Sequence, residues 1–163
     1  MKFVLVDKRE TDVFLSELFK ILHSNMSMIA PTNNSYDTDF KTWSSNIIPA
    51  MQKQNRQIVL MYVNDTLVGY FQYYINTDTN SLAMEEIQID KAFQGTGLFS
   101  EFYRWLVKQI PDNIENVEAY ANKRNFKSQD ILVCLGLDKL GENKNGNSFY
   151  YKGRYADLLN KYS

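Results

Sequence analysis

The segment from Glu85 to Leu98 carries two kinds of residue that could do chemistry, strand carboxylates and turn glycines. Gly95 and Gly97 stand directly before a helical apolar pattern that begins at Leu98. The first N–H groups of a helix lack partners within the helix and carry partial positive charge, so an anion placed there gains hydrogen bonds and a favourable field. Glycine also lets the backbone approach such an anion closely. The segment therefore predicts a phosphate site, although many tight glycine turns bind no ligand.

Two well-known phosphate-binding loops do not match this turn. A P-loop needs a lysine and then a serine or threonine after its second glycine, and this chain has Leu98 and Phe99 there. The dinucleotide-binding pattern GxGxxG would need a third glycine at Ser100. Neither loop is therefore expected.

The turn resembles motif A of the GNAT superfamily of acyl-CoA N-acyltransferases, whose pattern is Gln/Arg-x-x-Gly-x-Gly/Ala. At these positions the chain reads Gln94, Gly95, Thr96, Gly97, Leu98 and Phe99. Phe99 departs from the pattern, because it replaces a small residue in the first helical turn.

A second segment resembles motif B of the same family. A strand from Val117 to Ala121 is followed by Asn125 and by a short helix from Ser128 to Leu137, which Gly136 closes. Leu132 departs from the pattern, since many members have there a tyrosine that protonates the leaving thiolate. The two segments together extend the resemblance beyond a single turn.

The resemblance implies an α/β (α+β) fold in a single domain over residues 1–163. Its mixed, mostly antiparallel sheet would have about six to seven strands, flanked by about four helices, with one splayed parallel strand pair. The hydrophobic periodicity gives a compatible order: strand, two helices, three strands, helix, strand, helix and two strands. A polar C-terminal helix is predicted from about Tyr155.

The pattern also predicts the ends of individual elements. The first half is expected to contain a strand at Lys2–Val6, a helix at Thr11–His23 capped by Thr11, a loop at Ser24–Tyr36, and a helix at Phe40–Gln54 with a kink near Pro49. Strands at Ile58–Val63 and Leu67–Ile75 should form a hairpin, and a helix should run from Leu98 to Ile110. Aromatic strand residues such as Tyr70, Phe71 and Tyr73 are expected to pack in the core.

The resemblance implies acetyl-CoA as the acyl donor and an unidentified amine as the acceptor, with no metal. Backbone groups of Ile87, Gln88 and Ile89 would hold the pantetheine arm and orient the thioester carbonyl. N–H groups from Gln94 to Phe99 would hold the pyrophosphate, and Asn125 would contact the pantetheine side. The implied function is transfer of an acetyl group to a primary amine of a small molecule or peptide by direct attack. The alternative is an acyl-CoA-binding module of the same fold with impaired catalysis, which the departures from the two motifs favour.

Direct attack requires a neutral amine, so a carboxylate must take the proton of an ammonium whose pKa is near ~10. Glu85 is the first candidate, because it shares a strand face with Ile87 and Ile89 and stands where family members often place a carboxylate. Glu86 is the second, because a β-bulge in this strand would exchange the two faces. Glu118 is the third, and each of the three could instead be a solvated carboxylate on the sheet.

The group that would protonate the departing thiolate stays open, since Leu132 cannot donate a proton. Tyr73, Tyr120 or Tyr150 could do so from neighbouring strands. The thiolate could also leave unassisted, because a thiol pKa near ~8.5 makes it a tolerable leaving group.

Composition and charge limit the partners and the location. The net charge is −1 and the pI about 5.8, which argues against the basic surface of a nucleic-acid-binding protein. No run of residues approaches the ~20 apolar residues of a membrane span, and the opening MKFVLV is too short for a signal peptide. We therefore expect a cytoplasmic protein with no nucleic-acid or membrane partner, and the sequence leaves a homodimer open.

Two single residues could be mistaken for catalysts. Cys134, the only cysteine, lies among apolar neighbours and is expected to be a buried packing residue rather than a nucleophile. His23, the only histidine, is expected at a helix end, either solvated or bonded to a carbonyl.

Overall fold

The computed structural model describes residues 1–53 and 55–163. These residues form two compact units. The first unit comprises Met1–Tyr73 and Glu86–Phe99, and the second comprises Tyr74–Glu85 and Ser100–Ser163.

The described ranges contain seven strands and five α-helices. The strands are Lys2–Leu5 (β1), Gln57–Val63 (β2), Thr66–Asn76 (β3), Ser81–Ile89 (β4), Asn116–Asn122 (β5), Asp138–Glu142 (β6) and Ser148–Arg154 (β7). The helices are Thr11–Met26 (α1), Tyr36–Lys53 (α2), Leu98–Leu106 (α3), Phe126–Cys134 (α4) and Tyr155–Tyr162 (α5).

The strands are hydrogen-bonded in the order β1-β2-β3-β4-β5-β7-β6. Strands β4 and β5 pair in parallel, whereas β1 with β2, β2 with β3, β5 with β7 and β6 with β7 pair antiparallel. This topology confirms the predicted fold class, a mixed and mostly antiparallel sheet with one parallel pair. No helix in the described ranges is long and apolar enough to cross a membrane.

In the first unit, α1 and α2 cover the apolar side chains of β2 and β3. Leu15 and Leu18 of α1 recur at helical spacing and are buried together with Leu60 and Tyr70, which are register partners in the sheet. Full burial of one such aliphatic side chain stabilises the fold by about 1.5–3 kcal/mol. This core fixes α1 against the strands that lead to β4.

The hairpin between β2 and β3 is tighter than predicted. Its two-residue turn consists of Asn64 and Asp65, with φ of 49° and 63°. Two successive left-handed residues form a turn that matches the twist of the flanking strands. Thr66 is consequently the first residue of β3 rather than part of the turn.

The two N-terminal helices have different ends from those predicted. Helix α1 runs on to Met26, and Thr11 is not its cap, because its hydroxyl donates to the carbonyl of Lys8. Helix α2 begins four residues earlier than expected, because the Ser35 hydroxyl accepts a hydrogen bond from the Thr38 N–H and so caps the helix. Pro49 lies inside α2. The predicted end of this helix, Gln54, lies outside the described residues.

In the second unit, Ser81–Met84 of β4 pairs in parallel with Asn116–Ala119 of β5. A parallel pair needs a crossover connection, and α3 supplies it. Helix α3 ends at Leu106 rather than at the predicted Ile110. The two N–H groups at positions 108 and 109 bond three residues back, so the chain tightens there into turns before Pro111.

The prediction that Cys134 is buried is wrong, because its side chain is exposed. The buried residues of this stretch are Leu132 and Leu135, three positions apart on one side of the helix. Cys134 lies between them in sequence and therefore points to the other side.

Gly153 gives a test of how tightly the second unit is packed. A Cβ at this position would lie 2.7 Å from the carbonyl oxygen of Gly136 and 3.2 Å from Cα of Leu137, and neither backbone atom can move freely. We expect Gly153→Ala to lower the free energy of unfolding by about 1–3 kcal/mol, measured by urea denaturation. Gly141→Ala on the neighbouring strand is the matched control, since its Cβ would meet no atom within 4 Å. Equal stability of the two variants would contradict this packing.

Candidate active site

The glycine turn, residues 94–97, joins a short 3₁₀ turn at Lys91–Phe93 to the first residue of α3. Gly95 and Gly97 have φ of 76° and 90°, a region that side chains with a Cβ rarely adopt. A Cβ built on either glycine would meet no atom within 4 Å. The glycines are therefore required by the backbone path, and open space lies in front of them.

Side chains of the turn itself hold it in place. The Thr96 hydroxyl donates to the carbonyl of Phe93 at 2.6 Å, and the Gln94 amide donates to the carbonyl of Ile89 at 2.9 Å. Leu98, the next residue, is buried. The structure thus gives Gln94 a role that the sequence did not predict, because its side chain fastens the turn to the end of β4.

The carbonyl of Ile89 also accepts a hydrogen bond from α1. The Asn25 amide nitrogen donates to it at 2.9 Å and donates a second hydrogen atom to Gln88 Oε1, also at 2.9 Å. Gln88 in turn donates to the carboxylate of Glu86. These three residues, Asn25, Gln88 and Glu86, form what we call the amide chain. It runs from the last turn of α1 to a candidate base and restricts the orientation of that carboxylate.

Tyr70 is a buried residue close to this carboxylate that sequence reasoning assigned only to packing. Its side chain is fully buried, and its hydroxyl has no hydrogen-bond partner among the described residues. Burial raises the pKa of the Tyr70 hydroxyl well above its usual value, and the charge of Glu86 raises it further. The hydroxyl therefore keeps its proton at neutral pH and can donate it in a hydrogen bond.

The second unit holds the other residues that the sequence singled out. Asn125 is the N-cap of α4, where its side-chain oxygen accepts a hydrogen bond from the Ser128 N–H at 3.1 Å. Leu132 of the same helix is buried, at 8% exposure. The cap explains locally why an asparagine precedes this helix.

Glu118, the third candidate base, is engaged with a tyrosine. The Tyr150 hydroxyl donates to its carboxylate at 2.8 Å. Burial, and then this hydrogen bond, raise the pKa of Tyr150 to about 12. Of the other candidate acids, Tyr73 is buried and Tyr120 is 58% exposed. Tyr150 therefore keeps its proton at neutral pH and donates it in a hydrogen bond to the carboxylate of Glu118.

The structure divides the predicted site residues between the units. The first unit brings Glu86, Gln88 and Ile89 together with the glycine turn through the hydrogen bonds described above. Glu85 and Asn125 belong to the second unit. Sequence reasoning missed Asn25, because nothing in a helix-end asparagine indicates a partner more than sixty residues away.

Comparison with known proteins gives the family. The model of the acetyltransferase (GNAT) family matches residues 15–132, a range that contains β4, the glycine turn and Asn125. The chain belongs to this family. Its members are acyl-CoA-dependent N-acetyltransferases, and the protein is accordingly an enzyme of this class that uses acetyl-CoA as the acyl donor. The family and co-substrate predicted from the two motifs are confirmed.

Solved structures of GNAT-fold acetyltransferases resemble the chain over nearly its whole length. An acetyltransferase from Thermus thermophilus has a TM-score of 0.72 and 13% identity, over 94% of this chain and 97% of that one. Aminoglycoside acetyltransferase AAC(6')-Ib, in complex with coenzyme A and kanamycin, has a TM-score of 0.70 and 14% identity, over 99% of both chains. A mutant spermidine N-acetyltransferase from Vibrio cholerae has a TM-score of 0.63 and 13% identity, over 100% of both. At this identity the likeness shows the fold, and no curated protein sequence matches the chain.

The unpartnered hydroxyl of Tyr70 leads to a test of this GNAT site. Because a buried polar group without a partner costs about 1–3 kcal/mol, Tyr70→Phe should leave the free energy of unfolding unchanged or raise it by up to that amount. Tyr155→Phe is the matched control, since the buried Tyr155 hydroxyl donates to the carbonyl of Val107 and its loss should destabilise the fold. The free energies of unfolding of both variants are measured by denaturant unfolding and compared with that of the wild type. Destabilisation by Tyr70→Phe equal to that of the control would show that the hydroxyl has a partner in the folded protein.

Proposed function

We propose that the protein transfers the acetyl group of acetyl-CoA to a primary amine of a small molecule or peptide, by direct attack of the amine on the thioester. The observation that carries this proposal is the glycine turn. It lies within the region matched by the family model, opens α3, and exposes two glycines with positive φ to open space.

The residues of the turn fit a pyrophosphate group. N–H groups of the turn and of the start of α3, within the predicted range from Gln94 to Phe99, would bind the phosphate oxygens. The N–H of Gln94 itself donates to the carbonyl of Lys91 at 3.4 Å. The absence of side chains at Gly95 and Gly97 lets the anion approach the backbone. Backbone groups of Ile87 and Gln88 would bind the pantetheine arm. The carbonyl of Ile89 already accepts two hydrogen bonds, so its contribution there would come from its N–H group. The contact of Asn125 with the pantetheine arm stays a prediction from the resemblance to motif B.

We assign the general base to Glu86 rather than to Glu85. Glu86 is held by Gln88, which is itself held by Asn25, so its carboxylate has a defined orientation within the unit that carries the glycine turn. Such orientation is what a general base needs, because proton transfer depends on geometry before it depends on pKa. Glu85 is the preceding residue of β4, so its side chain lies on the opposite face of the strand from Glu86 and Gln88. It remains the alternative that the experiment below compares directly.

The reaction then balances with few groups. Glu86 accepts a proton from the substrate ammonium, directly or through water, and the neutral nitrogen forms a bond to the acetyl carbonyl carbon. Acetyl-CoA supplies that electrophilic carbon as a thioester. The carbon–sulfur bond breaks, its electron pair leaves on sulfur, and the nitrogen, which is positively charged after the attack, releases its second proton to solvent as the amide forms. With Leu132 buried on α4, the thiolate leaves unassisted, which its low basicity permits.

The phosphate site is tested by calorimetric titration with acetyl-CoA. We expect micromolar binding by the wild type. Gly97→Glu should weaken binding about tenfold more than Gly97→Gln, a difference of ~1.4 kcal/mol, because both variants carry the same backbone strain and only one adds negative charge. Equal weakening of acetyl-CoA binding by both variants would show that the phosphate does not bind at this turn. If the folded wild type did not bind acetyl-CoA, the proposed function itself would be wrong.

The base assignment is tested by steady-state kinetics with a panel of primary amines. Glu86→Gln should lower kcat/KM by about 10²–10⁴-fold and leave acetyl-CoA binding unchanged, whereas Glu85→Gln should have a much smaller effect. In Glu86→Gln, activity should recover as pH rises toward the pKa of the amine, because the substrate then loses its proton to solvent. The reverse ranking of the two variants would transfer the role to Glu85. Acetyl-CoA binding without turnover of any amine would favour the alternative of a CoA-binding module.

A further inference from the structure

The first unit contains a cavity of about 500 Å³ between α1, α2 and the loop that joins them. This volume lies in the range of small-molecule sites, about 300–1,000 Å³. Its wall is mainly apolar and aromatic, and includes Phe19, Leu22, Met26 and Trp43. The cavity is therefore large enough to hold a small ligand.

Aromatic rings are packed in order along this wall. Phe19 stacks on Trp43 with ring centroids 5.4 Å apart, and His23 meets Tyr36 edge-on at 4.7 Å. His23 was expected at a helix end, either solvated or bonded to a carbonyl. It lies in the last turn of α1, where its half-buried ring contacts Phe19 and Tyr36 and lines the cavity. Such rings offer flat apolar faces, and the face of Trp43 can also attract a cation.

The charge of the cavity has one sign. Asp39 is its acidic lining residue, and no lysine or arginine occurs among the lining residues. The Asp39 carboxylate accepts hydrogen bonds from the Thr32 hydroxyl and from the Asn34 amide, which hold it at the edge of the cavity. One carboxylate beside aromatic faces complements one ammonium attached to an apolar body.

The cavity is connected to the proposed base within the same unit. His23, Met26 and Ser27 line it, and Asn25 between them donates to Gln88 and to Ile89. The helix end that shapes the cavity is therefore the helix end that begins the amide chain. A ligand bound there lies against the element that orients Glu86.

We propose that this cavity binds the acceptor, and that the acceptor is a monoamine with an apolar, preferably aromatic, body. The part of this inference that makes the amine a substrate rests on the proposed function. The binding of the amine to the cavity does not depend on it. The aromatic wall holds the body of the ligand, and the Asp39 carboxylate attracts its ammonium into the cavity before that group reaches Glu86 and loses its proton. A polyamine or an aminoglycoside, the ligand classes of two structurally similar enzymes, would bring several ammonium groups to a cavity with one carboxylate and would bind less well.

Trp43 is a built-in reporter for this binding. The chain has two tryptophans, and Trp105→Phe leaves Trp43 as the single tryptophan, which can be excited selectively over the tyrosines. In that background we would titrate phenethylamine, its neutral counterpart phenethyl alcohol, and spermidine, all without acetyl-CoA. Phenethylamine should change the fluorescence of Trp43 at the lowest concentration. Equal affinity for the amine and the alcohol, or tighter binding of spermidine, would overturn the proposal.

Variants of α2 with matched controls distinguish an effect of charge on ligand binding from an effect on folding. Asp39→Asn should weaken phenethylamine about fivefold and leave the alcohol unchanged, whereas Asp37→Asn, an exposed residue of the same helical turn that does not line the cavity, should change neither. Thr42→Lys gives a second measurement in which Asp39 is kept: it places a positive charge in the cavity wall and should weaken the binding of phenethylamine. Asn46→Lys, outside the cavity, is its control. If each variant behaves like its control, the cavity does not recognise the ammonium.

Acetylation assays complete the test. If the cavity is the acceptor site, phenethylamine is acetylated, and Asp39→Asn raises its KM by the factor seen in fluorescence with little change in kcat. Acetyl-CoA binding that depends on Gly97 without any Trp43 response would overturn this inference alone. A Trp43 response without acetyl-CoA binding would overturn the proposed function and leave a simple amine-binding cavity.

Discussion

The carbonyl oxygen of Ile89 is the atom on which the geometry of the first unit's site depends. A carbonyl has two lone pairs, and this one accepts the side-chain amides of Asn25 and Gln94, each at 2.9 Å. One oxygen thereby joins the end of α1, the last residue of β4 and the glycine turn. Any shift of β4 at this point would move the turn and the helix end together. The position of the proposed base follows from the same atom, because Asn25 also begins the amide chain that ends at Glu86.

Polar groups near this base are not all satisfied within the fold. The hydroxyl of Tyr70 and the side-chain oxygen of Asn25 are buried without a hydrogen-bond partner in the described ranges. Folded proteins keep few such groups, because each costs about 1–3 kcal/mol, and they retain them mainly where function requires it. Tyr70 is close enough to Glu86 for that carboxylate to raise the pKa of its hydroxyl, and Asn25 is linked to Glu86 through Gln88. The Tyr70 hydroxyl can donate or accept a further hydrogen bond, and the Asn25 oxygen can accept one. This placement supports a site that completes its hydrogen bonds when a substrate arrives.

The parts of the site that sequence predicted are those encoded by local backbone chemistry. Gly95 and Gly97 were predictable because a positive φ strongly favours glycine. Asn125 was singled out by the resemblance to motif B, and its role as the N-cap of α4 was found only in the structure. Helix ends were missed where side chain to backbone hydrogen bonds decide them, as Ser35 does for α2. The amide chain could not be predicted, because Asn25 and Gln88 are 63 residues apart and only the folded sheet brings them together. The exposure of Cys134 was missed for a related reason, since apolar neighbours on a short helix do not show which side faces the core.

The first unit has two separate candidate binding regions, the glycine turn and the cavity between α1, α2 and their loop. This separation accounts for how one fold can serve different acceptors. Acetyl-CoA is the common acyl donor of the family, and in our proposal a turn of a few residues with positive φ binds its phosphates. Acceptor choice needs a surface that differs from member to member, and we propose that here this surface is the side-chain wall supplied by α1, α2 and their loop. Each ammonium removed from water must regain its lost solvation from an opposite charge or an aromatic face. A wall with one carboxylate therefore limits the charge that a bound acceptor can carry, and its aromatic area rewards an apolar body. The ligand that satisfies both conditions is a monoamine with an apolar body.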